Sequence, residues 1–129
     1  MQIVVNRANG IILCTAEDYG KTHDFALYKN TIGSRVLDCI MAQADSGYQG
    51  ISAFHKNSET PRKKPRGGGL TEDEKRENRC ISQERIFIEN INAKIKVFKI
   101  MKYPYRNHRK RHFLRLNLIC GIFNFESRN

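Results

Sequence analysis

The chain has 129 residues, 40% hydrophobic and 28% charged, and 23 lysines and arginines against 13 aspartates and glutamates give a formal net charge of +10. That length suits one domain with a modest core, and the charge points to a polyanionic partner, most simply nucleic acid. No apolar run approaches membrane-spanning length and no signal peptide opens the chain, which argues against a membrane partner; four scattered cysteines with no C-x-x-C pair argue for reduced thiols in the cytoplasm and against a disulfide framework or zinc ribbon.

In chain order, Ile3-Val4-Val5 and Ile11-Ile12-Leu13-Cys14-Thr15 are β-rich runs on either side of Asn6–Gly10. The Asn9-Gly10 pair is the strongest local hairpin signal in the sequence. A strand this close to Met1 leaves a sheet no lead-in, so the chain reads as beginning in the middle of a domain. Tyr19-Gly20-Lys21-Thr22 ends like a phosphate-binding loop, but the first glycine that loop needs falls on Thr15, which excludes it. Asp24 is expected to cap a short helix that packs Phe25, Leu27 and Tyr28 inward, a structural role rather than a catalytic one.

The apolar run from Val36 to Ala42 is short and leads into Asp45-Ser46-Gly47-Tyr48-Gln49-Gly50, so it reads as a strand ending in a tight turn. Asp45 would then be a carboxylate presented at the end of a buried strand, a position from which an acid can meet a ligand or metal. An ordinary Asp-Ser-Gly turn explains the same residues. Ile51 to His55 reads as a short helix. From 56 to 70 the prolines and glycines predict an extended basic loop in which Lys56, Arg62, Lys63, Lys64 and Arg66 have only Glu59 as a local acid. Such a loop is either simply solvated or an arm that tracks phosphates.

Thr71 and Glu74 predict a capping box at the start of the main helix, with acids suited to the positive end of its dipole. Ile81, Ile88, Ile91, Ile95 and Phe98 recur at three- and four-residue steps and give that helix an apolar face for a sheet. Glu89 sits at the edge of this stripe, and Pro104 is expected to stop the helix or bend the chain. From Asn90 to Phe125 there is no acidic residue but there are nine basic ones. His108 and His112 fall in this span, and histidines near phosphate are a better reading than a zinc site. Phe113, Leu114, Leu116, Leu118, Ile119 and Ile122 predict a final helix that covers the sheet.

Four blocks in order, Arg85-Ile86-Phe87-Ile88-Glu89-Asn90, Lys96-Val97-Phe98-Lys99-Ile100, Tyr105-Arg106-Asn107-His108-Arg109-Lys110-Arg111 and Leu116 to Asn124, resemble the C-terminal half of DDE-type transposases of the insertion sequence 5 group. The resemblance runs from the first hairpin to Asn124. It implies an α/β, ribonuclease H-like fold (a mixed sheet with flanking helices), incomplete at its N-terminus. Residues 1–126 would form its C-terminal part, with the hairpin, a helix and the strand of the second Asp in 1–55, the basic loop in 56–70, the helix bearing the Glu in 71–100 and a basic turn and last helix in 101–126. By the same resemblance Asp45 is the family's second catalytic Asp and Glu89 its catalytic Glu, both ligands of Mg2+ or Mn2+ in a two-metal site. Two such ions about 3.5–4 Å apart can activate the attacking oxygen and stabilise the leaving one, and hard cations take carboxylate oxygens.

The family's first catalytic Asp lies upstream of this pattern, and neither Asp18 nor Asp24 can stand for it. The chain is therefore expected to be a transposase half, inactive alone, from a gene remnant or a split frame whose upstream half is a partner. Lys63, Lys64, Arg66, Lys96, Lys99, Arg106, Arg109, Lys110 and Arg111 are the expected contacts to the backbone of transposon-end and target DNA. A homo-oligomer is expected of the complete enzyme, in the cytoplasm at the nucleoid. The bland alternative for Glu89 is an ion pair with Arg85 or Lys96. For the whole chain it is a non-catalytic basic nucleic-acid-binding protein or an inactive remnant.

Overall fold

The structure is a computed structural model, and it describes residues 1–18, 22–103 and 111–128. The chain divides into two compact units, one of Met1–Asp18 with Phe87–Asn129 and one of Tyr19–Ile86. Its class is mixed α/β, with small sheets and several helices. Among the described residues the strands form two separate two-stranded pairs. No described helix is long and apolar enough to cross a membrane.

In the first unit, β1 (Gln2–Val5) and β2 (Ile12–Ala16) pair antiparallel, with an irregularity between Val4 and Val5. The hairpin predicted from β-rich runs is present, and the Asn6 carbonyl closes its turn by accepting from Gly10 N–H at 2.8 Å. Gly10 has φ +71°, and a Cβ there would stand 3.0 Å from the Phe87 ring. The long helix α3 (Glu72–Lys96), whose residues from Phe87 onward lie in this unit, and the last helix α5 (His112–Glu126) supply the rest. Ile12, Ile91, Ile95, Leu116, Ile119 and Cys120 form the core, rimmed by Ile3, Val5, Ile100, Met101 and Phe123. Apolar burial of this kind is the main stabilising term, about 25 cal/mol per Å². Burial also pushes the Cys120 thiol pKa up, so it behaves as a small hydrophobe. None of the four cysteines forms a disulfide.

The last helix also reads the edge of β2 through polar side chains. Asn124 accepts from Ile12 N–H at 2.8 Å and donates to the Ile12 carbonyl at 2.9 Å. Two turns earlier, Asn117 accepts from the Thr15 hydroxyl. These bonds satisfy strand groups that an open edge would leave to water.

Helix α3 ends at Lys96, short of the helix expected over 71–100. Phe98 N–H bonds the Ile95 carbonyl at 3.2 Å, a tightened last turn. Phe98 itself is extended and caps a one-turn helix, α4 (Lys99–Lys102). Its ring is 45% exposed, so it does not extend the buried stripe of Ile91 and Ile95. The expected stop at Pro104 lies outside the described residues.

The second unit holds α1 (Asp24–Asn30), α2 (Ile51–Phe54), the parallel pair β3 (Ala42–Gln43) and β4 (Ser58–Glu59), and α3 up to Ile86. Leu27, Tyr28, Ile32, Ile51 and Ile81 are buried, and Tyr28 meets Tyr48 and Phe54 edge-on at 6.1 and 6.3 Å. Three expectations need correction here. The strand over Val36–Ala42 shrinks to its last residue plus Gln43, and Leu37, Ile40 and Met41 are exposed. Turn bonds take that backbone out of any ladder: Ile40 N–H donates to Leu37, and the Ile40 carbonyl accepts from His55 Nε2 at 2.7 Å. The cap of α1 is His23, whose Nδ1 accepts from Phe25 N–H at 3.3 Å, while Asp24 is the first helical residue. Asp24 is still favourable there, against the helix dipole. Finally, the 56–70 loop is tied down. Arg62 pairs with Glu74 at 3.0 Å and Glu77 at 3.5 Å rather than with Glu59, and its backbone exchanges two bonds with Asn78.

Candidate functional site

Asp45 follows β3 by two residues and caps a 3-10 turn over Ser46–Tyr48. One carboxylate oxygen accepts from Gly47 N–H at 2.5 Å, and the other lies 3.7 Å from the Arg85 guanidinium. The side chain is 47% exposed, so the pair with Arg85 is a screened surface contact of modest strength. One residue before Arg85, Glu84 accepts from Gln43 Nε2. The last turn of α3 within this unit is thus tied twice to the segment that carries Asp45. The acid therefore does not end a buried strand as expected: the two-residue strand Ala42–Gln43 precedes it, and Asp45 itself is half exposed.

Glu89 stands on the part of α3 that belongs to the other unit. It is exposed, beside half-buried Ile88 and away from Ile91 and Ile95, which face the core. Among the described residues no three His, Cys, Asp or Glu side chains gather as metal ligands. The donor chemistry of Asp45, a carboxylate at a solvent-open turn, does suit a hard cation. A cation there would displace Arg85 from it, and further ligands would have to join.

The basic residues divide three ways. Lys63, Lys64 and Arg66 are exposed in the loop before α3, and Lys96, Lys99 and Arg111 are exposed in the first unit. Arg106, Arg109 and Lys110 lie outside the described residues. Arg62, in the same loop, is committed to Glu74 and Glu77. The Thr71–Glu74 capping box is formed as expected: Glu74 accepts from Thr71 N–H at 2.9 Å, and Thr71 Oγ1 accepts from Glu74 N–H at 3.2 Å. The Thr71 N–H bond, then the Arg62 side chain, holds the Glu74 carboxyl below its ordinary pKa.

Two histidines carry contacts that sequence reasoning missed. His55 is 1% exposed, with Nε2 on the Ile40 carbonyl and Nδ1 3.8 Å from Asp38. His112 places Nδ1 on Glu17 and Nε2 3.1 Å from the Ile100 carbonyl. Both ring nitrogens of His112 are engaged by protein acceptors, an arrangement unlike a zinc ligand, while His108 lies outside the described residues. Nothing in the local sequence pairs position 17 with position 112. The spacing of Asn117 and Asn124 on an apolar helix was the one visible hint of long-range polar ties.

A family model described as DDE superfamily endonuclease matches residues 1–124. The chain is also 42% identical, over 125 residues, to a probable transposase for insertion sequence element IS702 from Microchaete diplosiphon. That match covers 97% of this chain and 45% of the relative, so the chain spans just under half of that curated relative's length. No solved structure matches.

Proposed function

The chain belongs to the DDE superfamily endonucleases, and from that footing we propose that it is part of a transposase catalytic domain that cuts and joins DNA. The observation that carries this reading is the family match across residues 1–124, and the 42% identity to a probable transposase supports it. In this reading the fold is ribonuclease H-like and the chain falls in the insertion sequence 5 group. Asp45 and Glu89 serve as two of the three catalytic carboxylates, with the first Asp supplied from outside these 129 residues, by an upstream half. Mg2+ or Mn2+, when held by these carboxylates, supplies charge neutralisation at the reacting phosphate. The chain's own part is to position and to hold. Asp45 is fixed at one oxygen by Gly47 N–H, which leaves its other oxygen, now beside Arg85, as the one able to turn to a ligand. Lys63, Lys64, Arg66, Lys96, Lys99, Arg106, Arg109, Lys110 and Arg111 hold the DNA backbone, a sequence-independent attraction.

A second reading, a basic nucleic-acid-binding protein or inactive remnant, is favoured by one observation: Asp45 is already paired with Arg85. The two readings separate in a cleavage assay on element-end DNA, with the 129-residue chain mixed with the part of a full-length relative that lies outside the match. Asn at position 45 can still cap the turn but loses the charge. Asp45→Asn and Glu89→Gln should therefore each lower Mg2+-dependent cleavage at least about 100-fold and leave DNA binding near the parent value. Cleavage that survives both substitutions removes the catalytic reading, and DNA binding that ignores salt removes the phosphate-contact reading.

A further inference from the structure

In the first unit a cleft of about 500 Å³ opens between the hairpin turn, α3 and the end of α5. Its volume lies in the range of sites that take small ligands. Phe87, Asn90, Ile91 and Lys94 reach it from one face of α3, at steps of three and four residues, while Phe123 comes from α5 and Asn9 from the turn. Glu89 stands on the other side of α3, because two residues after Phe87 is more than half a turn at about 3.6 residues per turn. The cleft is thus turned away from that carboxylate.

The chemistry of the lining narrows what can enter. Ile91 is buried in the core, whereas Phe87 is 42% exposed and Phe123 half-buried, so both rings present apolar surface to the cleft. The Phe87 ring rests against Gly10, where a Cβ would stand 3.0 Å from its Cζ. A partly exposed ring is a surface on which any nucleobase can stack, since every base has a π-face. The Lys94 ammonium stands 5.9 Å from the centroid of the Phe123 ring, a weak contact at an exposed site that it can exchange for a phosphate. Asn9 accepts from Ile11 N–H at 3.0 Å with its side-chain oxygen, which leaves its amide hydrogens to donate outward. The carboxamide of exposed Asn90 carries a donor and an acceptor side by side, the pattern that matches the edge of a base. Among the described residues the lining holds no acid, so nothing in it repels a phosphate. A second copy of the chain fits less well, because it would bring its own net charge of +10 up to Lys94.

We propose that this cleft binds an unstacked base of single-stranded DNA, with Phe87 and Phe123 as stacking surfaces, Asn9 and Asn90 on the base edge and Lys94 on the adjoining phosphate. The proposal rests on the DNA-binding part of the reading above and adds a site to it. A base paired in a duplex is stacked on both sides and cannot enter, so the cleft takes DNA that is opened or frayed. This is a different interaction from the backbone attraction of the basic residues, which does not involve the bases at all.

The test measures binding of the 129-residue chain to two single strands of equal length and charge, an oligothymidylate and the same backbone made of abasic residues, at fixed ionic strength. The parent should bind the base-bearing strand about 10-fold more tightly. Phe87→Leu keeps an apolar side chain against Gly10 but removes the ring. It should bring that ratio toward one while affinity for the abasic strand stays at the parent value. Asn90→Ala, at an exposed position outside the core, should lower the ratio by a smaller factor with an unchanged unfolding midpoint. Lys94→Gln should weaken binding to both strands alike and reduce the salt slope by about one. Equal affinity of the parent for the two strands, both falling with salt, overturns the cleft and leaves the backbone-contact reading standing. A base preference that survives intact in both Phe87→Leu and Asn90→Ala lies elsewhere on the chain and likewise overturns the cleft. If Phe87→Leu leaves the strands unaffected and instead lowers self-association in sedimentation, the cleft takes a second copy and the proposal falls. Binding of neither strand, even at low salt, overturns the cleft and the DNA reading together.

Discussion

Gly10 shows how one residue can be set by both backbone and neighbour. Its φ of +71° lies in the left-handed region, and a Cβ there would approach Phe87 Cζ to 3.0 Å. An L-residue in that conformation costs about 1–2 kcal/mol, and the ring must also give way. Gly10→Ala should therefore destabilise the chain by about 2 kcal/mol in urea unfolding, whereas Gly10→Asn, better suited to positive φ, should cost less of the backbone part. Equal losses for the two substitutions would show that the contact with Phe87 outweighs the dihedral. Asp45 illustrates the opposite case, a residue whose local geometry is equally good for two roles. An Asp that caps a turn and faces an arginine is an ordinary structural device, and its geometry alone does not mark it as a ligand.

Elements were legible where their signals are local. The capping box at Thr71 and Glu74 closes on itself within one turn, so the two residue types and their spacing suffice to find it. The same holds for the first hairpin and for α2. The strand over Val36–Ala42 was misread because a short apolar run does not say whether its backbone partners exist. Here the Ile40 carbonyl is taken by His55, fifteen positions away, Leu37, Ile40 and Met41 are exposed, and of the run only Ala42 is paired. Likewise the basic loop looked unpaired because Arg62 finds Glu74 and Glu77 only once α3 is in place. Of the candidate site, the two carboxylates and the basic residues could be named from the sequence, but the pairing of Asp45 with Arg85 could not. The box itself carries a pH dependence. The Glu74 carboxyl has a lowered pKa in the folded chain, so its contribution is present above the ordinary carboxylate range and is lost as pH falls through the lowered value. Acidification should fray the start of α3 first, seen as faster amide exchange at Glu72–Lys75. Glu74→Gln should abolish that pH dependence, and Thr71→Ala should cost about 1 kcal/mol at neutral pH. An acid response unchanged in Glu74→Gln would place its origin elsewhere.

At the scale of the whole molecule, a net charge of +10 favours solubility and attraction to polyanions, while the apolar surface works against it. The last helix is apolar on two sides. Leu116, Ile119 and Cys120 enter the core, whereas Leu114, Leu118, Ile122 and Phe125 are exposed. At 100° per residue these four fall within one side of α5, a continuous stripe rather than scattered single residues. Val97 and Leu13, in the same unit, are exposed as well. A helix apolar all round is normally buried, and contiguous apolar patches of several hundred Å² are uncommon on monomers. The 129-residue chain alone is therefore expected to self-associate, with a sedimentation coefficient that rises with protein concentration and persists in high salt, where charge attraction is screened. Leu114→Gln together with Leu118→Gln should shift the chain toward monomer without lowering its unfolding midpoint, because neither side chain enters the core. If the double variant associates as strongly as the parent, the stripe on α5 is not the contact. If association instead disappears in salt while the parent stripe is intact, the contact is electrostatic and the basic loops are the place to look.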